Sequence, residues 1–420
     1  MNKQLINKIL ITVGFLFLYR LLAYVPVPGV DTAVIASFFD SHASDALGLL
    51  NMFSGNAVER LSIISLGIMP YITASIIMEL LAATFPNLAQ MKKERDGMVK
   101  YMQIIRYATI VITVIQAIGV SIGLQSMTGP TGNSAILVDH NTFIVVSAVS
   151  MLAGTMLLMW IGEQITQSGI GNGISLIIFA GIVSAIPSAI GQTISMVNTG
   201  AMSFITVIAI LLLILATVGV IIYVELGERR IPVTYAKKVM MENQNKRVMN
   251  YIPIKVNLSG VIPVIFASAI LMFPMTVLSS SSNPTIQAIA DVLNPSGYFF
   301  NVLTFFFVVF FAYFYASIVF NAKDISDNLK RQGGFIQGIR PGPHTAEFLN
   351  QTASNLTFSG AIYLGLVATL PWVIVKGMGV PFYFGGTAVL IVVQVALDTM
   401  RKIEAQIYMS KYETLSAVGL

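Results

Sequence analysis

The 420 residues contain no cysteine and only three histidines, His42, His140 and His344. The first absence excludes disulfides, thiolate metal sites and a cysteine nucleophile. The histidines are far apart in sequence and lack metal-ligand spacing. No G-x-x-x-x-G-K-[ST] run occurs, so the chain has no phosphate-binding loop of its own. ATP-driven work would therefore need a partner, and no cofactor is expected. Charge is scarce too. Asp, Glu, Lys and Arg make up 10% of the chain, against roughly 25% in soluble proteins. At the depth where an ion-coupled carrier usually keeps charged or protonatable groups, the chain has almost none. Glu79 lies about one turn from the cytoplasmic end of an apolar segment, and Gln116 is uncharged.

What fills the chain instead is apolar: 55% hydrophobic residues and a mean hydropathy of +0.79. Segments of that kind are read as membrane spans. They are expected at about 8–25, 67–84, 107–124, 142–162, 174–192, 203–224, 256–278, 298–320, 357–375 and 387–400. The first is too long for a signal-peptide core, and it exits into Val25-Pro26-Val27-Pro28-Gly29, which is no cleavage site. Arg20, near its outer end, is expected to snorkel to the interface. The glycine-rich turn 169–173 has no strand before it, so it is read as a tight turn between helices and not as a nucleotide loop.

Basic residues orient the spans. All Lys and Arg but Arg20, Arg60 and Lys376 fall at the N-terminus, in the loops 2/3, 6/7 and 8/9 with their flanks, or in the tail. Asp31, Asp40, Asp45, Glu59, Asp139 and Asp291 sit on the opposite side. By the positive-inside rule both termini face the cytoplasm. The net charge of +5 is then a topology signal, without need of nucleic acid.

One stretch is used twice. Residues 67–77 and 260–270 agree at six of eleven positions: Gly67 with Gly260, Pro70 with Pro263, Ile72 with Ile265, Ala74 with Ala267, Ser75 with Ser268 and Ile77 with Ile270. Biased membrane composition is the plainer alternative. The copies, however, open the second span of the first five and the second of the last five. Five is odd, so the halves would be inverted, and their Gly/Pro-interrupted segments would meet near the midplane. Pro is expected to break or kink the helix there. The expected fold is all-α, with ten transmembrane helices in two inverted five-helix halves, 1–195 and 196–420.

Three further features carry function. Residues 46–60 are too short and interrupted to span, and fit either a half-helix folded back into the membrane or an amphipathic piece on its outer surface. Asn56 with Glu59 resembles a capping box that opens a short helix. Ile68 and Ile72, like Ile178 and Ile182, stand four apart on one helix face. They are either a narrow apolar constriction that bars water by dewetting or ordinary core and lipid-facing residues. Loops 225–255 and 321–356 are polar and basic, and Ile339-Arg340-Pro341-Gly342-Pro343 is stiffened by proline. They are either a docking surface or basic only because topology demands it.

NMFSG at 51–55, LGIMPYITASIIMELL at 66–81, GIGNGISLIIFAGI at 169–182, KVNLSGVIPVIFASAILMFP at 255–274, Asp327 to Leu329, GIRPG at 338–342 and FGGTAVLIV at 384–392 closely resemble the SecY family, the channel subunits of the bacterial Sec translocon. They occur in family order over nearly the whole chain. The resemblance implies a multi-pass protein of the cytoplasmic (inner) membrane. It would conduct unfolded presecretory polypeptides, with a side gate through which membrane helices pass into lipid. It implies a pore ring at Ile68, Ile72, Ile178, Ile182, Ile265 and Ile391, and a plug over about 46–60 with Asn51, Met52, Phe53, Ser54, Gly55 and Arg60. It implies a lateral gate between spans 2 and 3 and spans 7 and 8, with Thr73, Gln116 and Phe273, where signal peptides would enter. Arg229, Arg230, Lys246, Arg247 and Arg340 would dock the SecA ATPase and the ribosome, and the small subunits SecE and SecG would clamp the halves. The sequence departs from the family in a short tail, in Pro343-His344 after the GIRPG turn, and in Glu79, where most relatives carry a neutral residue.

A passive polypeptide channel, with no catalysis by this chain, is the leading expectation. An inverted-repeat secondary transporter of small solutes is the alternative, and it would call for buried charge and short loops. A non-conducting scaffold would need neither plug nor constriction.

Overall fold

The computed structural model describes residues 3–41, 51, 54–125, 136–200, 202–235, 250–278, 292, 297–378 and 386–417. The helices are α1 (Lys3–Leu22), α2 (Thr32–Ser41), α3 (Met69–Thr84), α4 (Pro86–Lys93), α5 (Arg95–Gln125), α6 (His140–Ser168), α7 (Gly173–Asn198), α8 (Phe204–Leu226), α9 (Ile262–Leu278), α10 (Tyr298–Val319), α11 (Ala322–Arg331), α12 (Pro343–Met378) and α13 (Gly386–Ala417). Helix covers most of each expected span, except that 256–261, ahead of α9, is irregular. Among the described residues, six helical stretches are long and apolar enough to cross a membrane, or seven if the pair α3–α4, bent by 116°, counts as one. α8 is the most apolar of them, with a mean hydropathy of 3.1 and only 6% of its window buried. An apolar helix with so little protein around it presents its side chains to lipid.

The two copies of the repeated stretch fold alike. Gly67 and Gly260 both adopt left-handed φ, +59° and +65°, a conformation that costs glycine little. Two residues later each copy starts a helix, at Met69 and at Ile262, with Pro70 and Pro263 second in line. The prolines therefore open helices and do not kink them. Their missing N–H falls among the first-turn donors that have no intrahelical partner anyway.

Packing repeats as well. α1 packs on α6 and α7, as α8 does on α12 and α13. α3 packs on α5 as α9 on α10, α5 on α6 as α10 on α12, and α6 on α7 as α12 on α13. The first set meets the second where α9 lies against α3 and α5, and where α7 lies against α13.

The fold is not wholly α. Glu228–Tyr235 (β1) and Asn250–Lys255 (β2) pair antiparallel, with Ile231 opposite Ile252. Gly334–Phe335 (β3) adds to the other edge of β1, giving the order β2-β1-β3. Ile231, Val233 and Ile254 turn inward and pack with Leu329, Ile336 and Leu349. Alternating Ile and Val in a polar loop is the signal for these strands. The cost of leaving sheet edges unpaired is met by pairing one basic loop with the other. α11, capped by the Asn321 side chain accepting from Asp324 N at 3.3 Å, has Asp324 in its first turn and Lys330 and Arg331 in its last, as the helix dipole favours.

Residues 54–68 form no continuous helix, yet they are inside. Ala57, Leu61, Ser62 and Ile64 are fully buried, and within 46–60 Ser54, Ala57 and Val58 are packed inside the protein. Asn56 has left-handed φ, +65°, and opens no helix. Its side chain donates to Glu59 Oε2 at 3.1 Å, so the expected capping box is a side-chain clasp instead. A Cβ on Gly154 of α6 would overlap the Ile63 carbonyl. Gly154→Val should therefore lower stability by about 1–3 kcal/mol through overpacking, read as a lower thermal midpoint of the detergent-solubilised protein. An unchanged midpoint would mean that α6 and residue 63 do not touch.

Candidate functional site

Ile68 caps α3 and Ile72 lies one turn on, Ile178 and Ile182 lie on α7, Ile265 on α9 and Ile391 on α13. Four helices thus bring the six side chains into one buried cluster, none more than 8% exposed. Ala74 and Ala267, repeat partners, are fully buried in the same cluster. Branched side chains from both halves meeting there leave no polar atom of their own for water to bind.

Beside this cluster, residues 54–68 are tied to α1 and to each other. Tyr19 donates to the Ser54 carbonyl at 3.1 Å, and Arg20 donates to the Gly55 carbonyl. Val27 N donates to the Leu61 carbonyl at 2.8 Å, Ile63 N to the Val25 carbonyl at 3.0 Å, and the Ser62 hydroxyl to the Leu22 carbonyl at 2.8 Å. Asn51 accepts from Glu59 N at 3.0 Å through Oδ1 and donates from Nδ2 to Glu59 Oε2 at 3.3 Å. Arg20 and Arg60 both stack on the Tyr24 ring, at 5.4 and 4.2 Å. The Gly55 carbonyl and the Tyr24 ring thus give the half-buried Arg20 partners within the protein. A Cβ on Gly55 would come within 2.9 Å of Tyr19 Oη and 3.1 Å of Gly181 Cα, so the segment lies close on both α1 and α7.

Thr73 and Gln116 are buried on α3 and α5, which pack together where α9 arrives. The Thr73 hydroxyl donates to the Met69 carbonyl at 3.0 Å, and Gln116 Oε1 has no partner. Phe273 lies on α9, with its side chain outside the described residues, as are Met52, Phe53, Lys246 and Arg247 altogether. Phe266, about two turns earlier, meets Phe311 and Tyr315 of α10 edge to face, at 5.8 and 6.3 Å.

Arg229 and Arg230 project from β1 and are exposed. Arg230 Nε donates to Glu228 Oε1 at 2.6 Å, and its guanidinium lies 4.9 Å from the Tyr251 ring. That carboxylate hydrogen bond pushes the Arg230 pKa further up. Arg340 is exposed at a pinned turn: Thr345 donates its hydroxyl to the Arg340 carbonyl at 2.9 Å, and the Ser326 hydroxyl donates to the Gly342 carbonyl at 2.7 Å. The sheet joins the two basic loops, which lie a hundred residues apart in sequence, into one presenting surface.

The family model described as SecY matches residues 62–400. The chain is 70% identical, over the full length of both, to the protein translocase subunit SecY of Helicobacter pylori strain ATCC 700392 / 26695. It is 41% identical to that of Escherichia coli K12, over 98% of this chain and 94% of that one. The chain belongs to the SecY family. Its fold is similar to a solved SecY protein at TM-score 0.69 and 19% identity, over 96% of this chain and 93% of that one. That structure is described as one whose plug domain stabilises the closed state of the translocation channel. A SecY-family chain with several long apolar helices is a multi-pass membrane protein.

Against this SecY frame, the sequence reading missed a polar brace near the start of α9. Asn257 Nδ2 donates to Glu225 Oε1 at 2.6 Å and to the Gly260 carbonyl at 3.2 Å, while its Oδ1 accepts from Gly260 N at 3.1 Å and from the Ser259 hydroxyl at 3.1 Å. Arg401 of α13 donates to the Glu225 carbonyl at 2.9 Å. These residues line a cavity of about 450 Å³ between α7, α8, α9, α10 and α13. Asn257 and Glu225, both at most 5% exposed, were visible in sequence only as polar residues at the edges of apolar runs. Asn257→Ala would leave a buried carboxylate short of its donor. It should cost about 1–3 kcal/mol, measured as a lower thermal midpoint, whereas Glu225→Gln keeps an acceptor for Asn257 and should cost less. Equal losses would place the energy elsewhere than in that hydrogen bond.

Proposed function

We propose that this chain is the protein-conducting channel subunit of a general secretory translocase in the bacterial cytoplasmic membrane. It passes unfolded secretory polypeptides across and releases membrane helices sideways into lipid. Ten spans in two inverted halves, 1–195 and 196–420, put both termini in the cytoplasm. The distribution of Lys and Arg supports this orientation, and the matching packing order of α1, α3, α5, α6, α7 and α8, α9, α10, α12, α13 supports the halves.

The observation that carries the reading is that Ile68, Ile72, Ile178, Ile182, Ile265 and Ile391 all belong to the one buried apolar core shared by both halves, to which the irregular segment 54–68 also contributes Ala57 and Ile64. The isoleucines act as the pore ring. Residues 46–60 act as the plug, and the ties of Tyr19 and Arg20 from α1 hold it shut. The seam of α3 and α5 against α9 and α10 acts as the lateral gate, with Thr73, Gln116 and Phe273 along it. The opposite contact, α7 on α13, is the hinge. Energy comes from outside the chain, from SecA or from ribosomal synthesis. Arg229, Arg230, Lys246, Arg247 and Arg340 form the docking surface, and SecE and SecG clamp the halves.

The test is to reconstitute the chain with the small subunits in vesicles, add SecA and ATP, and follow protease protection of a presecretory protein. Protection that requires ATP is expected, and none would return the chain to the transporter reading. Ile265→Asn or Ile391→Asn puts an amide into the apolar cluster, where it demands water. Export of a signal-defective reporter should rise about tenfold for each 1.4 kcal/mol lost from the closed state. No rise would remove these residues from the seal. Arg340→Glu should abolish SecA-driven protection by reversing charge at a pinned turn, and normal protection would take Arg340 out of the docking surface.

A further inference from the structure

Near the C-terminal end of α3, where it packs on α5, lies an ion pair that is not closed. Glu79 stands on α3, five residues before its end at Thr84. Its counter-ion is Lys92 of α4, Nζ to Oε1 at 3.8 Å, beyond hydrogen-bond reach. Glu79 Oε2 is buried and has no partner. The hydroxyl of Tyr101 on α5, a residue 3% exposed, is also buried without a partner. α3 packs on α5, and Tyr71 of α3 and Tyr101 of α5 belong to the same buried cluster. Around Glu79 the wall is apolar, with Met78, Ala82 and Ile105 in the core. Lys92, by contrast, is on a short helix that leaves α3 at 116°, and its side chain is 36% exposed. An acid held this way keeps an acceptor open to a second cation, and the competing one is free to swing into solvent.

We propose that Glu79 receives the cationic head of an incoming signal segment. A Lys or Arg side chain displaces Lys92, takes the free Oε2 and gains the Tyr101 hydroxyl as a further acceptor. The proposal rests on the channel reading above. A secretory signal has a positively charged head followed by an apolar stretch of about 7–15 residues. Glu79 is seven residues beyond Ile72, roughly 10 Å of helix rise. The apolar stretch, as a helix, is about 10–22 Å long. A segment held by its head at Glu79 therefore lays its apolar stretch along α3 as far as Ile72 and Ile68 or past them. Glu79 sets both the depth and the direction of insertion.

The test uses the reconstituted translocase and three reporters that differ only in a Lys, Gln or Glu at the signal head. The native channel should export the Lys-headed reporter best. Glu79→Gln should lower its export about fivefold, the factor that about 1 kcal/mol of a partly exposed ion pair represents, and leave the Gln-headed reporter unchanged. Glu79→Lys should reverse the order, favouring the Glu-headed reporter. Lys92→Ala, by removing the competing cation, should raise export of the Lys-headed one. An equal fall of all three reporters in Glu79→Gln, or no fall in any, overturns the proposal. So does a Lys92→Ala protein that mimics Glu79→Gln, because the pair would then be a structural tie. Failure of the native channel to export any reporter is a separate result that overturns the channel reading itself.

Discussion

A chain in lipid must satisfy its backbone N–H and C=O groups from within, because hydrocarbon offers them nothing. Helices do this locally, and most of this chain is helix. Residues 54–68 do it without one, and the neighbouring structure is built to make that possible. The stretch after α1 supplies backbone partners through Val25 and Val27, and α1 supplies side-chain donors through Tyr19 and Arg20. Turns within the segment and the Asn51 side chain on Glu59 N supply others. Gly154 on α6 and Gly181 on α7 allow the close approach that these bonds require. The segment is held by bonds within itself and to the stretch from α1 to Val27, though Arg60 Nη1 and Ser65 Oγ stay buried without partners.

The same economy governs the join between the halves. Lipid tails are as apolar as leucine, so helices in a membrane are held by fit and by a few polar contacts. Where α9 meets α3 and α5, the Thr73 and Ser268 hydroxyls bond within their own helices, while Gln116 Oε1 on α5 and Glu79 Oε2 on α3 are buried without partners. Within the second half, by contrast, Asn257, Glu225 and Arg401 make a closed hydrogen-bonded brace across the start of α9, the end of α8 and α13. One contact is thus easy to part and the other costly to disturb.

Outside the helices, the two basic loops depend on each other. β1 binds β2 on one edge and β3 on the other, so Arg229, Arg230 and the turn bearing Arg340 are fixed relative to one another by backbone pairing. A rigid array of this kind needs less side-chain and loop ordering on binding than two tethered charges would.

Much of this was legible beforehand. The ten apolar stretches, the repeat at 67–77 and 260–270, and the isoleucines four apart followed from composition and period, because those properties are local. Other features were not. Proline at 70 and 263 reads as a breaker until its place in the helix is known. Asn56 and Glu59 have capping-box spacing but meet only through their side chains. The strands hid in a polar loop whose alternation was short. Glu79, Glu225 and Asn257 read as polar residues near span ends. The sequence by itself determined that the chain would be helical, membrane-bound and apolar at its centre, since periodicity and hydropathy are written residue by residue. Only the tertiary structure decided that six isoleucines from four helices share one cluster, that 54–68 is buried beside it, and which polar atoms are left without partners. Those depend on contacts between residues tens to hundreds apart, which no local pattern encodes.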